Sequence, residues 1–184
     1  MIIGLSGYAQ VGKDTVANHL VENYGFVKVS FADPIREALY RLDPRIRIDE
    51  FNGASLSSAV DHMGWEEVKR LSSDARELLQ RLGTEVGREM FGDDFWVNQG
   101  LIRAKEHKNV VFADTRYRNE ANAIVKSGGQ IWRINKPGSK PVNNHTSEID
   151  LDYYSFDWVI PNYVGVKEML SIVDNIMETR QSLV

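Results

Sequence analysis

The segment Gly7-Tyr8-Ala9-Gln10-Val11-Gly12-Lys13-Asp14-Thr15 has residue types and spacing suited to holding a chain of phosphates. Its glycines let the backbone wrap closely around an anion. The N–H groups of Gln10, Val11, Gly12 and the following helix start can point at that anion, and Lys13 can bridge β- and γ-phosphates. The segment leaves an apolar strand (Ile2–Leu5) and enters an amphipathic stretch, the context such a loop requires. A Ser or Thr usually follows the lysine and binds magnesium; here Asp14 takes that place and Thr15 comes one position later. Asp14 could hold Mg²⁺ directly or through water, Thr15 could do so instead, or Asp14 could only favour the positive helix N-terminus.

A second constellation follows the apolar run Val110–Ala113: Asp114, Arg116, Arg118 and Glu120. A carboxylate at the carboxyl end of a parallel strand beside a phosphate loop suits magnesium, and Arg116 and Arg118 could place delocalised charge near a transferring phosphoryl group. The competing reading has Asp114 capping a helix, the arginines solvated, and Glu120 capping or pairing with Arg116. Arg76, Gln80, Thr84 and Arg88 recur every four residues opposite the apolar positions Ala75, Leu78, Leu79, Leu82 and Val86, while Gly83 and Gly87 allow close backbone approach. Arg88 could hold an acceptor phosphate bidentately and Gln80 could reach a base edge, although any surface helix shows a polar face. Asp33-Pro34-Ile35-Arg36 opens a helix after the second strand; Asp33 is a candidate N-cap and Arg36 a second phosphate ligand. Late in the chain Lys136, Lys140, His145, Ser147 and Glu148 lie in a Pro- and Gly-containing stretch that could close over a bound nucleotide.

These residues need a scaffold. Short apolar runs at Ile2–Leu5, Val27–Phe31, Val110–Ala113, Ile131–Ile134 and Trp158–Ile160 alternate with segments of helical period, which predicts a parallel sheet flanked by helices. Helices are expected after the first strand, over Ser73–Phe91, Asp94–His107, Asn119–Lys126 and Val164–Arg180. Asp43–Gly64 and Lys136–Asp152 read as irregular loops or lids. A length of 184 residues without repeat or linker predicts a single domain over 1–184. The net charge of −4 argues against a nucleic-acid polymer as partner, and no run is long and apolar enough for a membrane helix. The start lacks the pattern of a signal peptide and there is no cysteine, so a cytoplasmic location is expected.

Taken in order, Gly12–Thr15, Phe31-Ala32-Asp33-Pro34, Leu78-Leu79-Gln80 with Gly83-Thr84-Glu85 and Arg88, Asp114 with Arg116 and Asn119-Glu120, and His145 with Ser147-Glu148 resemble the deoxynucleoside monophosphate kinases of bacteriophages. The likeness spans nearly the whole chain. It implies a three-layer α/β P-loop kinase fold with five parallel strands in the order 2-3-1-4-5 and with lid and acceptor-binding insertions. It further implies ATP with Mg²⁺ as donor and a deoxynucleoside monophosphate as acceptor, in the host cytoplasm if phage-encoded, and it leaves a homodimer open. A kinase for another phosphorylated metabolite, such as phosphomevalonate, is the nearest rival; aromatic residues such as Tyr8, Phe31 or Trp96 near the motifs favour a base instead. A GTPase-type switch should carry Asn-Lys-x-Asp, whereas Asn135-Lys136 continues with Pro137-Gly138.

Overall fold

The structure is a computed structural model that describes residues 1–48, 52–141, 149–163 and 165–181. The chain divides into two compact units, Met1–Ser30 with Leu101–Val184, and Phe31–Gly100.

In the first unit the runs of apolar residues form five parallel strands: β1 (Ile2–Ser6), β2 (Val27–Val29), β5 (Val110–Phe112), β6 (Gln130–Asn135) and β7 (Trp158–Pro161). Their order is β2-β5-β1-β6-β7, which is 2-3-1-4-5 when only these strands are counted. β1 is central, and a parallel strand covered on both faces must be apolar throughout. Alternation then decides which residue faces which layer. Ile3 and Leu5 join Val16, Ala17 and Leu20 of α1 (Lys13–Tyr24) and Met169 and Val173 of the C-terminal helix α8 (Val166–Gln181). Gly4 faces the opposite layer, where a Cβ would come within 2.7 Å of Ile124 on α7 (Arg118–Lys126). Each fully buried Leu or Ile of this kind contributes about 1.5–3 kcal/mol.

α1 and α8 are also joined by a polar contact. Asp174 accepts from His19 (2.6 Å) and from the Tyr24 hydroxyl (2.7 Å). Burial and then the Asp174 carboxylate push the Tyr24 phenol up to about 12. Burial opposes ionisation of Asp174, but its bonds to His19 and Tyr24 outweigh that and hold its carboxyl below the usual range. A raised phenol contributes stability that is complete below its unfolded value near 10 and is lost as pH rises towards 12. A depressed carboxyl contributes stability that is present at neutral pH and lost as acid protonates it. Melting temperature should therefore fall between pH 10 and 12 more steeply for the wild type than for Tyr24→Phe; parallel curves over that window would exclude this coupling.

The second unit begins with α2 (Asp33–Leu42), whose N-cap is Ala32, so Asp33 occupies the first turn and does not cap it. Asp43–Gly64, expected from sequence to be irregular, instead forms an antiparallel hairpin of β3 (Arg45–Arg47) and β4 (Gly53–Ser55), then the first half of α3 (Leu56–Leu71). Short-range polar bonds account for the order. The Ser57 N–H donates to Asp43 Oδ1 (2.8 Å), the Ser58 N–H to Ser55 Oγ (3.3 Å) and the Leu56 N–H to the Pro44 carbonyl (2.9 Å). Gly64, at φ +78°, kinks α3. Arg47 donates to both oxygens of Asp74 at 3.1 Å, tying the hairpin to α4 (Ser73–Arg81) and holding the Asp74 carboxyl below its usual range. Leu39, Ile46, Leu56, Ala59, Val68 and Ala75 are the core of this unit.

The helix expected over Ser73–Phe91 is continuous but not uniform. α4 passes into a π-helical segment over Leu82–Arg88 and ends in the short α5 (Glu89–Phe91). Val86, expected on the buried stripe, is 37% exposed, and Gly87 is buried in its stead. α6 (Phe95–Ala104) completes the elements. Among the described residues no helix is long and apolar enough to cross a membrane.

Candidate active site

Two glycines in the loop after β1 have backbone conformations that a side chain would strain. Gly7 has φ +139°, and a Cβ there would lie 2.5 Å from the Ile134 carbonyl oxygen. Gly12, at φ +110°, is the N-cap of α1 and makes no side-chain cap bond, and the N–H groups of a helix start are suited to an anion. A bond from Asn162 Nδ2 to the Val11 carbonyl (2.8 Å) fixes the loop from the end of β7. The Lys13 ammonium curls over it and donates to the carbonyls of Gly7 (2.6 Å) and Tyr8 (2.7 Å), so it lies across the loop mouth.

Tyr8 extends this support. Its hydroxyl donates to Asp152 Oδ2 (3.0 Å), and the other Asp152 oxygen accepts from Arg133 Nη2 (3.0 Å). The Arg133 guanidinium lies 4.9 Å from the Tyr8 ring centre and 5.4 Å from that of Phe156. Burial, then the bond to Asp152, raises the Tyr8 phenol above its ordinary value. Sequence reasoning considered Tyr8 for stacking on a base; here its ring and hydroxyl serve the loop. Neither Arg133, Asp152 nor Asn162 was legible as a site residue, because each acts through a partner more than a dozen positions away.

Asp114 follows β5, the strand beside β1, and accepts from Ser30 Oγ (2.7 Å) at the end of β2. The Thr115 N–H donates to the Leu5 carbonyl (3.1 Å), which pins Asp114 at the carboxyl edge of the sheet that carries the phosphate loop. Asp14 is placed otherwise: its carboxylate is 81% exposed and accepts from Lys28 of β2 at 2.6 Å. Thr15 is half-buried one residue further along α1. Arg116 is exposed, and its N–H and that of Tyr117 donate to Glu120 Oε2 (2.7 and 3.0 Å), so Glu120, only 6% exposed, caps α7. Arg118 donates to Asp150 through both its backbone N–H (2.7 Å) and its Nε, the latter to the Asp150 carbonyl (3.0 Å).

In the second unit Arg36 pairs with Asp33 (3.3 Å) and lies 3.8 Å from Glu66. Gln80 and Thr84 are exposed and Arg88 is half-buried. Sequence predicts close approach at Gly83 and Gly87; at Gly87 the approaching group is the Trp96 ring, whose Nε1 also donates to the Gly83 carbonyl (3.0 Å), while at Gly83 a Cβ would meet Ile35. Lys136 and Lys140 are exposed; His145, Ser147 and Glu148 lie outside the described residues.

A parallel sheet of this order, a glycine loop joining its central strand to a helix, and an acidic residue at the end of the adjacent strand define a P-loop kinase fold. Shikimate kinase from Aquifex aeolicus matches that fold with a TM-score of 0.51 at 16% identity, covering 98% of both chains. The chain belongs to the deoxynucleotide monophosphate kinase family, whose model matches residues 47–173. It is 30% identical to a protein of Acanthamoeba polyphaga mimivirus that carries the same family name, over 95% of this chain and 97% of that one. It is 24% identical to the deoxynucleotide monophosphate kinase of Enterobacteria phage T4, over 96% and 98% of the respective chains.

Proposed function

We propose that this chain transfers the γ-phosphoryl group of ATP to a deoxynucleoside monophosphate, releasing ADP and the diphosphate, and that residues 1–184 work as one catalytic domain in the cytoplasm. The phosphate loop carries this reading. A strand-to-helix turn whose glycines exclude side chains, an N-terminus with no capping side chain, and a lysine across its mouth together form a site for a nucleotide's phosphates.

Gly7, Gln10, Val11, Gly12, Lys13, Asp14 and Thr15 bind the donor. Lys13 exchanges its loop carbonyls for the β- and γ-phosphates. Magnesium bound with the nucleotide would be held by one or two protein oxygens, with phosphate and water as its other ligands. Asp114, fixed by Ser30, and the Thr15 hydroxyl supply a donor set of that kind, whereas the Asp14 carboxylate is turned to Lys28. When bound, the metal neutralises charge developing on the transferred group. Arg116 adds a delocalised cation there. Arg88, with Arg36 assisting, takes the acceptor phosphate; Asp33, Gln80 and Thr84 orient the sugar and base. Lys136, Lys140, His145, Ser147 and Glu148 belong to the segment that excludes water.

The test is one panel with purified protein, ATP and Mg²⁺. Its acceptors are dAMP, dGMP, dCMP, dTMP, the matching free deoxynucleosides, the ribose monophosphates, phosphomevalonate and none. At least one deoxynucleoside monophosphate should yield its diphosphate with matching ADP. The free deoxynucleoside should be a far poorer acceptor because it lacks the anion for Arg88. Phosphorylation of phosphomevalonate alone, or ADP release without a phosphorylated product, would refute the proposal.

A further inference from the structure

The π-helical segment alters where Arg88 stands. In an uninterrupted α-helix each residue turns about 100°, so Arg88 would lie roughly 80° around the axis from Gln80. A π segment accommodates one extra residue, and Arg88 then takes the slot of residue 87, within about 20° of Gln80. By the same count Gly87 takes the slot of residue 86, in line with buried Ala75, which explains why Gly87 is buried and Val86 is not. The burial pattern thus records the inserted residue independently of the hydrogen bonds. The bond from the Glu89 N–H to the Thr84 carbonyl, five residues back, is the wide turn itself.

Wide turns lose good hydrogen-bond geometry and persist where something holds them open. Here that is the indole of Trp96. Its Nε1–H donates to the Gly83 carbonyl, and its ring lies so close to Gly87 that a Cβ there would fall 1.8 Å from Nε1. Its other neighbour is Phe95, edge-on at 4.8 Å between ring centres, and Phe95 stacks on Phe91 at 5.0 Å. The wedge is therefore backed by aromatic packing.

We propose that Trp96 is a positioning residue for the acceptor: wedged against Gly83 and Gly87, it enforces the π register that sets the Arg88 guanidinium on the same helix face as the Gln80 amide, where the two read the phosphate and base of one deoxynucleoside monophosphate. This rests on the assignment of Arg88 to the acceptor phosphate. It accounts for the glycine at position 87, which a helix serving only as a surface would replace with a better helix former.

The experiment compares Michaelis constants for ATP and for each of the four deoxynucleoside monophosphates, together with melting temperatures, in five proteins: wild type, Arg88→Ala, Gly87→Ala, Trp96→Phe, and Gly87→Ala combined with Trp96→Leu. Gly87→Ala should raise the KM of the acceptor at least tenfold and leave that of ATP within twofold. Trp96→Phe removes the N–H and keeps an aromatic ring; it should raise the acceptor KM about threefold or more, and it decides the matter if Gly87→Ala does not fold. The double variant makes room for the new methyl, so its melting temperature should recover while its acceptor KM stays high. Recovery of both, or wild-type acceptor KM in both Gly87→Ala and Trp96→Phe while Arg88→Ala raises it, would overturn the wedge. An unchanged acceptor KM in Arg88→Ala would remove the Arg88 assignment itself and with it the role given to Trp96.

Discussion

Lys13→Ala should lose two or more orders of magnitude in turnover while remaining folded. The ammonium lies across the mouth of the loop on the carbonyls of Gly7 and Tyr8. A phosphate chain seated on the N–H groups beneath would bring negative charge to the same place. During transfer charge gathers on the β/γ bridge and the equatorial oxygens, and a preorganised cation there typically contributes about 10²–10³ in rate. The two carbonyl bonds are lost as well, but the Asn162 bond to Val11 and the Tyr8–Asp152–Arg133 support remain. The fold of the loop should survive. Steady-state turnover beside a thermal melt decides the question: a folded Lys13→Ala protein with near-normal turnover would remove the phosphate-loop assignment.

What sequence alone made legible follows from the range of the interactions. The inner strands were readable because a parallel strand covered on both faces is apolar throughout and appears as a run, as in Val110–Phe112, whereas the edge strands β2 and β7, partly exposed, were marked by β-branched and aromatic residues such as Val27, Val29, Trp158 and Val159. The phosphate loop was readable because its requirements are local: glycine at φ +139° and +110°, and a lysine at the helix start. The hairpin of β3 and β4 was not, since Arg45–Arg47 alternates charge with a single buried Ile46 and owes its place to Asp74, twenty-seven residues on. Nor was the π segment. Ala75, Leu78, Leu79 and Leu82 keep an α period as far as the segment begins, and the residue that widens the turn, Trp96, lies beyond it in the chain. Asp14 illustrates the same limit from the other side: its place in the motif left magnesium and the helix N-terminus open, and its partner Lys28, on another strand, was not legible.

That difference between the two acidic candidates leads to the second large effect. Asp114→Asn should reduce turnover about a hundredfold at limiting Mg²⁺, whereas Asp14→Asn should change it only a few-fold. Asp114 is half-buried and oriented by Ser30 at the carboxyl edge of β5, so its charge meets little solvent screening and lies at a fixed place beside the phosphate loop. Asp14 is 81% exposed and already balanced by an ammonium at 2.6 Å, and exposed pairs of this kind contribute little. Asparagine preserves the volume and one acceptor oxygen at position 114 but removes the charge, so binding of ATP measured without magnesium should be nearly unchanged while the magnesium concentration for half-maximal turnover rises. The reverse ranking, with Asp14→Asn the more damaged and more magnesium-dependent enzyme, would transfer the metal role to the loop carboxylate and require its bond to Lys28 to break when nucleotide binds. Magnesium titrations of both variants that coincide with wild type would remove both carboxylates from the metal site and leave Thr15 with the phosphates as its ligands.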